Sequence, residues 1–552
     1  MTLTATRPPE APASATEVPV LVPETWLTTS DHKRLGRMYV VATLAFLLVG
    51  TGVAVVMEIQ RAGRHSTLVV GGDYARLFSV HATVMTLLFL APLWVGLATY
   101  LVPLQIGARR LAFPRLQALA FWAFVVGGLL LLASYVTGTP NGAGITLSTP
   151  LPTAAGGASR ATDLWIASLM VLTVAALLAA ANIFSTVFKL RADGMTFMRV
   201  PAFTWSSLAT SAAMLLAGPI FLTGLLLLYL DQHFGGHVFD PSQVNGNVVW
   251  QHLLWLYGRP DAYLLFLPSL GVISDVVATH ARRPLFMAPV VKAAIFAFAI
   301  LSFGILAADT NALHAVLLPT PTLVSALVVL PTGLCVLLWL GTIRPAQLRL
   351  HVSLLYVAGF VVLCLLGGAN AIGAALKGLP GDSAWTTGQL HAVLFGAPTL
   401  AAFAGIYHWA PKIWGRPLRA TLGVLQWLLM FGGFLVSALG SWFLGYAGAT
   451  WHVDHLTGPG TKSSWLALGR LSGLGGGLIA LGIVVFVVNL AYSALGPGSG
   501  EVGPADPYEG ATLEWATSSP PPEDNFTYVP EVQSDRPLAD LRAAEATPGG
   551  AR

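Results

Sequence analysis

Two histidines lie inside otherwise apolar runs: His81 in "LFSVHATVMTLLFL" and His391 in "WTTGQLHAVLFGAP". Each falls one or two helical turns inside the end of its segment. Two imidazoles at matched depth on different helices can grip the iron of a haem from both faces, and apolar helix walls suit so apolar a macrocycle. The same spacing also fits two unrelated histidines bonded to serine or backbone groups, because polar residues often serve only to hold helices together. A second constellation is "LLWLYGRPDAYLLFLP", in which Arg259 and Asp261 flank Pro260. Asp309 follows in "SFGILAADTNALH". Charges within hydrocarbon are costly, so they mark either a functional site or an ion pair tying helices together. Pro260 breaks the helix locally and frees carbonyls. Asp231, Asp240 and Asp382 sit near helix ends, where they could offer oxygen ligands to a cation or simply be solvated.

The elements that must position these residues are membrane spans. The chain has 552 residues, 55% of them hydrophobic and 10% charged, with a mean hydropathy of +0.70. Soluble proteins carry about 25% charged residues. Twelve apolar runs, centred near residues 47, 90, 126, 175, 217, 263, 297, 328, 362, 397, 432 and 481, are long enough to span a bilayer. Lys and Arg concentrate in alternate loops, such as Lys33/Arg34/Arg37, Arg109/Arg110/Arg115 and Lys412/Arg416/Arg419. The opposite loops carry fewer, among them Arg61, Arg64 and Arg76. The positive-inside rule then places both termini in the cytoplasm. Residues 1–28 read as a disordered cytoplasmic segment, 29–494 as the membrane domain, and 495–552 as an extended cytoplasmic tail rich in Gly, Pro and acidic residues. The first apolar run suits a span better than a cleaved signal. Cys335 and Cys364 both lie in apolar runs and form neither a disulfide framework nor a metal cluster. The net charge of +4 is spread over loops and suggests no nucleic-acid partner.

Several stretches carry a resemblance. "TTSDHKRLGRMY", "YLVPLQIGARRLAFPRLQALAFW", "QHLLWLYGRPDAYLLFLP", "LPTGLCVLLWLGT", "AGIYHWAPKIWGR" and "DPYEGATLEWATSSPPPEDNF" together resemble subunit I of the haem-copper oxidases, the cytochrome c oxidase family, and its A-type members most. The resemblance runs from residue 28 to 543 and implies an all-α bundle of twelve transmembrane helices. It also implies six metal-holding histidines. Two hold a low-spin haem, and His81 and His391 match them. One holds a high-spin haem and three hold copper.

The other four are replaced. Arg259 stands where the family's "GHPEVY" has its first copper histidine, beside Asp261 in place of glutamate. Ala308 and Asp309 stand where "WAHH" supplies the other two. Gln389 replaces the high-spin haem histidine. Tyr263 survives without the histidine to which the family couples it. Along the proton routes, Arg110 replaces an entrance aspartate and Cys335 replaces a helix 8 lysine. Glu58 replaces an arginine that contacts the low-spin haem, and Trp451 and His452 replace an arginine pair that holds its propionates. These departures favour haem b over haem a and count against copper.

The resemblance with these replacements implies a respiratory-chain protein of a prokaryotic-type cell membrane. It would carry one bis-histidine haem for electron transfer and would not itself reduce oxygen. Its partners would be other respiratory subunits in the bilayer and an external cytochrome c or copper-domain electron donor. Two other roles stand beside this one: a working cytochrome c oxidase subunit that reduces oxygen and pumps protons, and a haem-free structural or assembly partner. Arg259 and Asp309, facing a common cavity, are expected to neutralise each other in place of copper.

Overall fold

Within hydrocarbon, every backbone N–H and C=O must find its partner inside its own segment, which makes a long apolar run a helix. The computed structural model describes residues 25–63, 68–69, 73–138, 159–236, 238–239, 265–304, 321–343, 348, 350–379, 383–450, 456–457, 460–495 and 503–546. Among these residues, helices account for nearly all regular structure, and strand-like pairing is confined to a bridge between Ser383 and Thr450. The bundle helices in chain order are α1 (His32–Ala62), α2 (Arg76–Gln105), α3 (Pro114–Thr137), α4 (Arg160–Lys189), α5 (Ala202–His233), α6 (Leu265–Ala281), α7 (Ala288–Gly304), α8 (Pro321–Thr342), α9 (Val352–Lys377), α10 (Ala384–Trp414), α11 (Ala420–Tyr446) and α12 (Ser463–Leu495). Nine of the described helices are long and apolar enough to cross a membrane, and α6, α7 and the described part of α8 are shorter apolar segments. Eleven of the twelve expected runs are centred on described helices; the centre of the run near residue 263 lies outside the described residues, and α6 begins at Leu265. Arg61 and Arg76, expected in loops, instead lie within helix ends.

Small residues set how closely these helices approach. A Cβ on Gly36 would come within 2.7 Å of Tyr100 Cβ, and one on Gly96 within 2.5 Å of Tyr39 Cβ. These two positions cross α1 over α2 at near-backbone contact. The same device joins α11 to α12, where a Cβ on Gly475 would lie 2.3 Å from the Ser437 nitrogen.

One end of the bundle is closed by residues 503–546, which include a short turn at Leu513–Ala516 and a helix, α13 (Pro537–Ala546). Leu513, Trp515, Phe526 and Val532 are buried against the helix ends. Lys412 Nζ donates to the carbonyls of Ala505 (2.8 Å) and Thr517 (2.6 Å), while Lys33 Nζ donates to Asn525 Oδ1 (3.0 Å). His280 stacks on His351 and His408 on Tyr508, with His280 and His408 meeting edge-to-face. Burial pushes the His351 imidazole down to about 4, so it joins the stack neutral.

Glu514 is fully buried at this end. Gln105 Nε2 reaches both Glu514 Oε1 (3.1 Å) and Asp275 Oδ2 (3.2 Å), and among the described residues Glu514 Oε2 has no hydrogen-bond partner. Burial raises the Glu514 carboxyl above the ordinary range. An acid whose folded value is raised binds its proton more tightly when docked, so its docked state is favoured at low pH. That advantage is lost as pH rises from about 4.3, the free glutamate value, towards the raised value. Proteolysis of the 503–546 segment should therefore quicken as pH rises through this window, and Glu514→Gln should flatten the dependence. Protease sensitivity against pH is the measurement.

Candidate functional site

His81 and His391 lie towards the bundle end opposite residues 503–546, because α2 and α10 both run from the histidines towards that segment. Their rings are 6.3 Å apart between centroids and within 10° of parallel. His81 Nδ1 is 2.9 Å from the Gly50 carbonyl oxygen on α1, and His391 Nδ1 is 2.8 Å from that of Thr387, one turn back on α10. A carbonyl oxygen only accepts, so both Nδ1 atoms carry the proton and both Nε2 atoms keep a lone pair. Among the described residues neither Nε2 has a hydrogen-bond partner.

This arrangement suits one metal between two imidazoles. An imidazole nitrogen binds a metal at about 2 Å and the ring centre lies ~1 Å behind it, so two rings on opposite sides of one ion have centroids about 6 Å apart. Backbone carbonyls on the far nitrogens fix ring orientation and raise ligand basicity, as ligating histidines require. The residues present therefore fit a bis-imidazole haem.

The helices share a device around these rings. In α2 the turn Val84–Leu90 is wide, with the Ala91 N–H bonded to the Thr86 carbonyl five residues back. In α10 the turn Leu390–Gly396 is also wide, with Ala397 bonded to Ala392. Both run into an Ala-Pro pair, Ala91-Pro92 and Ala397-Pro398. A proline ring clashes with the carbonyl four residues back, and widening the turn before it relieves the clash. Such π-turns recur at functional sites. Ala-Pro shortly after each histidine is the signal that could have revealed them.

Other expected site residues fall as follows. Gln389 Nε2 donates to the Gly367 carbonyl on α9 (3.2 Å), while its Oε1 is buried with no hydrogen-bond partner among the described residues. Glu58 pairs with Arg61 at 3.2 Å in the last turns of α1. Cys335 is completely buried as a free thiol. Arg110 is exposed near the 503–546 segment and lines a cleft with Arg109, Arg191 and Glu531. Asp231 is buried and caps the turn after α5, accepting from the Val238 and Phe239 nitrogens (3.1 and 2.8 Å), so its structural work is visible. Arg259, Asp261, Tyr263, Ala308, Asp309, Asp240, Asp382, Trp451 and His452 lie outside the described residues. Sequence reasoning missed the burial of Arg61 and the unpartnered oxygen of Glu514.

Gly388 holds the His391 stretch against α11. A Cβ there would come 2.7 Å from Trp442 Cδ1 and 2.9 Å from the Ala438 carbonyl oxygen, and backbone cannot yield cheaply. Gly388→Ala should destabilise the bundle by about 1–3 kcal/mol through overpacking. Chemical unfolding in detergent, followed by helical circular dichroism, checks this.

A sequence profile of the cytochrome c and quinol oxidase polypeptide I family matches residues 34–478. A protein of Streptomyces coelicolor described as a putative cytochrome c oxidase subunit 1-beta is 38% identical over 531 residues, covering 95% of this chain and 91% of its own. A probable cytochrome c oxidase subunit 1-beta of Nocardia farcinica is 37% identical over 93% of this chain and 87% of its own. A cytochrome c oxidase subunit 1 of Corynebacterium efficiens is 35% identical over 94% and 89%.

Proposed function

We propose a role from one premise: the chain belongs to the cytochrome c and quinol oxidase polypeptide I family. Membership makes it a multi-pass membrane protein and implies haem and companion oxidase subunits. Our reading is that it binds a single low-spin haem, of b type, between His81 and His391. It serves electron transfer in the respiratory chain rather than oxygen reduction at a copper centre.

The observation that carries this is the pair of near-parallel imidazoles, 6.3 Å apart, with both Nδ1 atoms bonded to carbonyls. A haem with two firm axial ligands passes single electrons and offers no open position to oxygen. The chain's own part is positional. Gly50 and Thr387 hold the two rings in one tautomer, and α1, α2, α10 and α11 keep them apart by a fixed gap. Gln389, standing where the family has its high-spin haem histidine, spends its amide nitrogen on the Gly367 carbonyl. With Arg259, Ala308 and Asp309 replacing the copper histidines, the sequence supplies none of the imidazoles that copper would need at those positions. The excess of Lys and Arg in alternate loops supports a reading with both termini in the cytoplasm and the haem near the outer face, where a cytochrome c or a copper domain would deliver electrons.

The names borne by the relatives favour a second reading, a working cytochrome c oxidase subunit. Metal content separates the two. Pyridine haemochrome and copper analysis of the purified protein should give one haem per chain and no copper, with a low-spin spectrum that His81→Ala or His391→Ala abolishes. Two haems and one copper per chain, with oxygen uptake, would establish the oxidase instead. No haem would leave a structural or assembly partner.

A further inference from the structure

At the bundle end that carries the two histidines, the last turns of α1 hold an ion pair. Arg61 Nη1 is 3.2 Å from Glu58 Oε1, with the arginine side chain 10% exposed and the glutamate 24%. Neither group is saturated. Among the described residues, Arg61 Nε and Glu58 Oε2 are both buried without a hydrogen-bond partner. An orphaned donor on a buried cation is expensive, because the full desolvation penalty remains. By contrast, the buried Lys412 ammonium has carbonyl partners at 2.8 and 2.6 Å.

The pair lies beside the imidazoles. Both charges are within electrostatic reach of the His391 ring, and α1 also supplies the Gly50 carbonyl that holds His81. α12 leaves room for the glutamate: a Cβ on Gly473 would come 3.2 Å from Glu58 Oε2, and one on Gly476 3.5 Å from Glu58 Cγ. Glu58 occupies one guanidinium nitrogen and leaves the Nε edge unspent. That edge, with the neighbouring Nη, forms the planar fork that suits a carboxylate. A haem's charged periphery consists of its two propionate carboxylates.

We propose that Arg61 anchors a propionate of the haem held between His81 and His391, with Glu58 gripping the arginine from its other side. This rests on the bis-imidazole reading above. It gives the chain a haem-anchoring arginine on α1, whereas Trp451 and His452 stand where the family has its arginine pair. Arg61 is a binding and positioning residue, and Glu58 acts through it.

The test compares the purified wild-type protein loaded with haem b and with haem b dimethyl ester, whose propionates are blocked. The readouts are haem dissociation rate in detergent and midpoint potential. The free acid should dissociate roughly tenfold to a hundredfold more slowly than the ester, as expected for one charge-assisted hydrogen bond. Arg61→Gln should erase that difference, Arg61→Lys should restore part of it, and Glu58→Gln should shift the potential while leaving the preference for the acid. Equal retention of acid and ester by the wild type overturns the anchor and leaves the bis-imidazole reading intact. If the wild type takes up neither porphyrin, the bis-imidazole reading fails and the anchor fails with it. The ester comparison needs no variant, so a poorly folded substitution does not weaken it.

Discussion

Close approach of helix backbones is the constraint on which the rest of this molecule depends. In lipid, apolar side chains gain little by leaving their surroundings for one another, so helices associate through packing and a few polar bonds. Here glycines do that work at Gly36 and Gly96 between α1 and α2, at Gly388 between α10 and α11, and at Gly475 between α11 and α12. At Gly50, a Cβ would lie 2.7 Å from Met85 Sδ. Without that closeness the Gly50 carbonyl could not orient His81. The gap between the imidazoles is thus a by-product of how near α1 lies to α2 and α10 to α11.

The two ends of the bundle use polar groups differently. At the end closed by residues 503–546, buried charges meet fixed carbonyls and amides, as Lys33 and Lys412 do, and the ring cluster of His280, His351, His408 and Tyr508 fills the space. At the histidine end, buried polar atoms remain unspent on Arg61, Glu58 and Gln389. Native interiors leave few such groups, and those that remain call for an explanation, often a group that binds there. Both ends keep such atoms, Glu514 Oε2, Trp515 Nε1 and Arg282 Nε among them at the closed end; those on Arg61, Glu58 and Gln389 are the ones that lie beside the imidazoles.

Much of this was legible in the sequence. The apolar runs located the spans, since a helix that must cross hydrocarbon has little freedom of composition. His81 and His391 stood out because imidazoles are rare in such runs and their depths matched. The wide turns before Pro92 and Pro398 were not legible from periodicity, because one inserted residue looks the same as an ordinary helix in an all-apolar stretch. The burial of Arg61 was also hidden. A basic residue at the end of a run reads as a loop charge, and its partner Glu58 shows only when three residues of helix bring them to one face. Glu514 lies in a segment whose composition signals no packing, and its burial depends on Gln105 and Trp409, contributed from distant parts of the chain.

The contacts at the closed end have a consequence for biosynthesis. Lys33 Nζ bonds to Asn525 and to the Glu523 carbonyl, pairing residues some 490 positions apart. Helix α1 therefore leaves the ribosome long before the segment that supplies these two acceptors, and until then its buried ammonium has Asp31, 3.0 Å away, as its partner. Until then that end of the bundle lacks the cover that residues 503–546 give it in the folded chain.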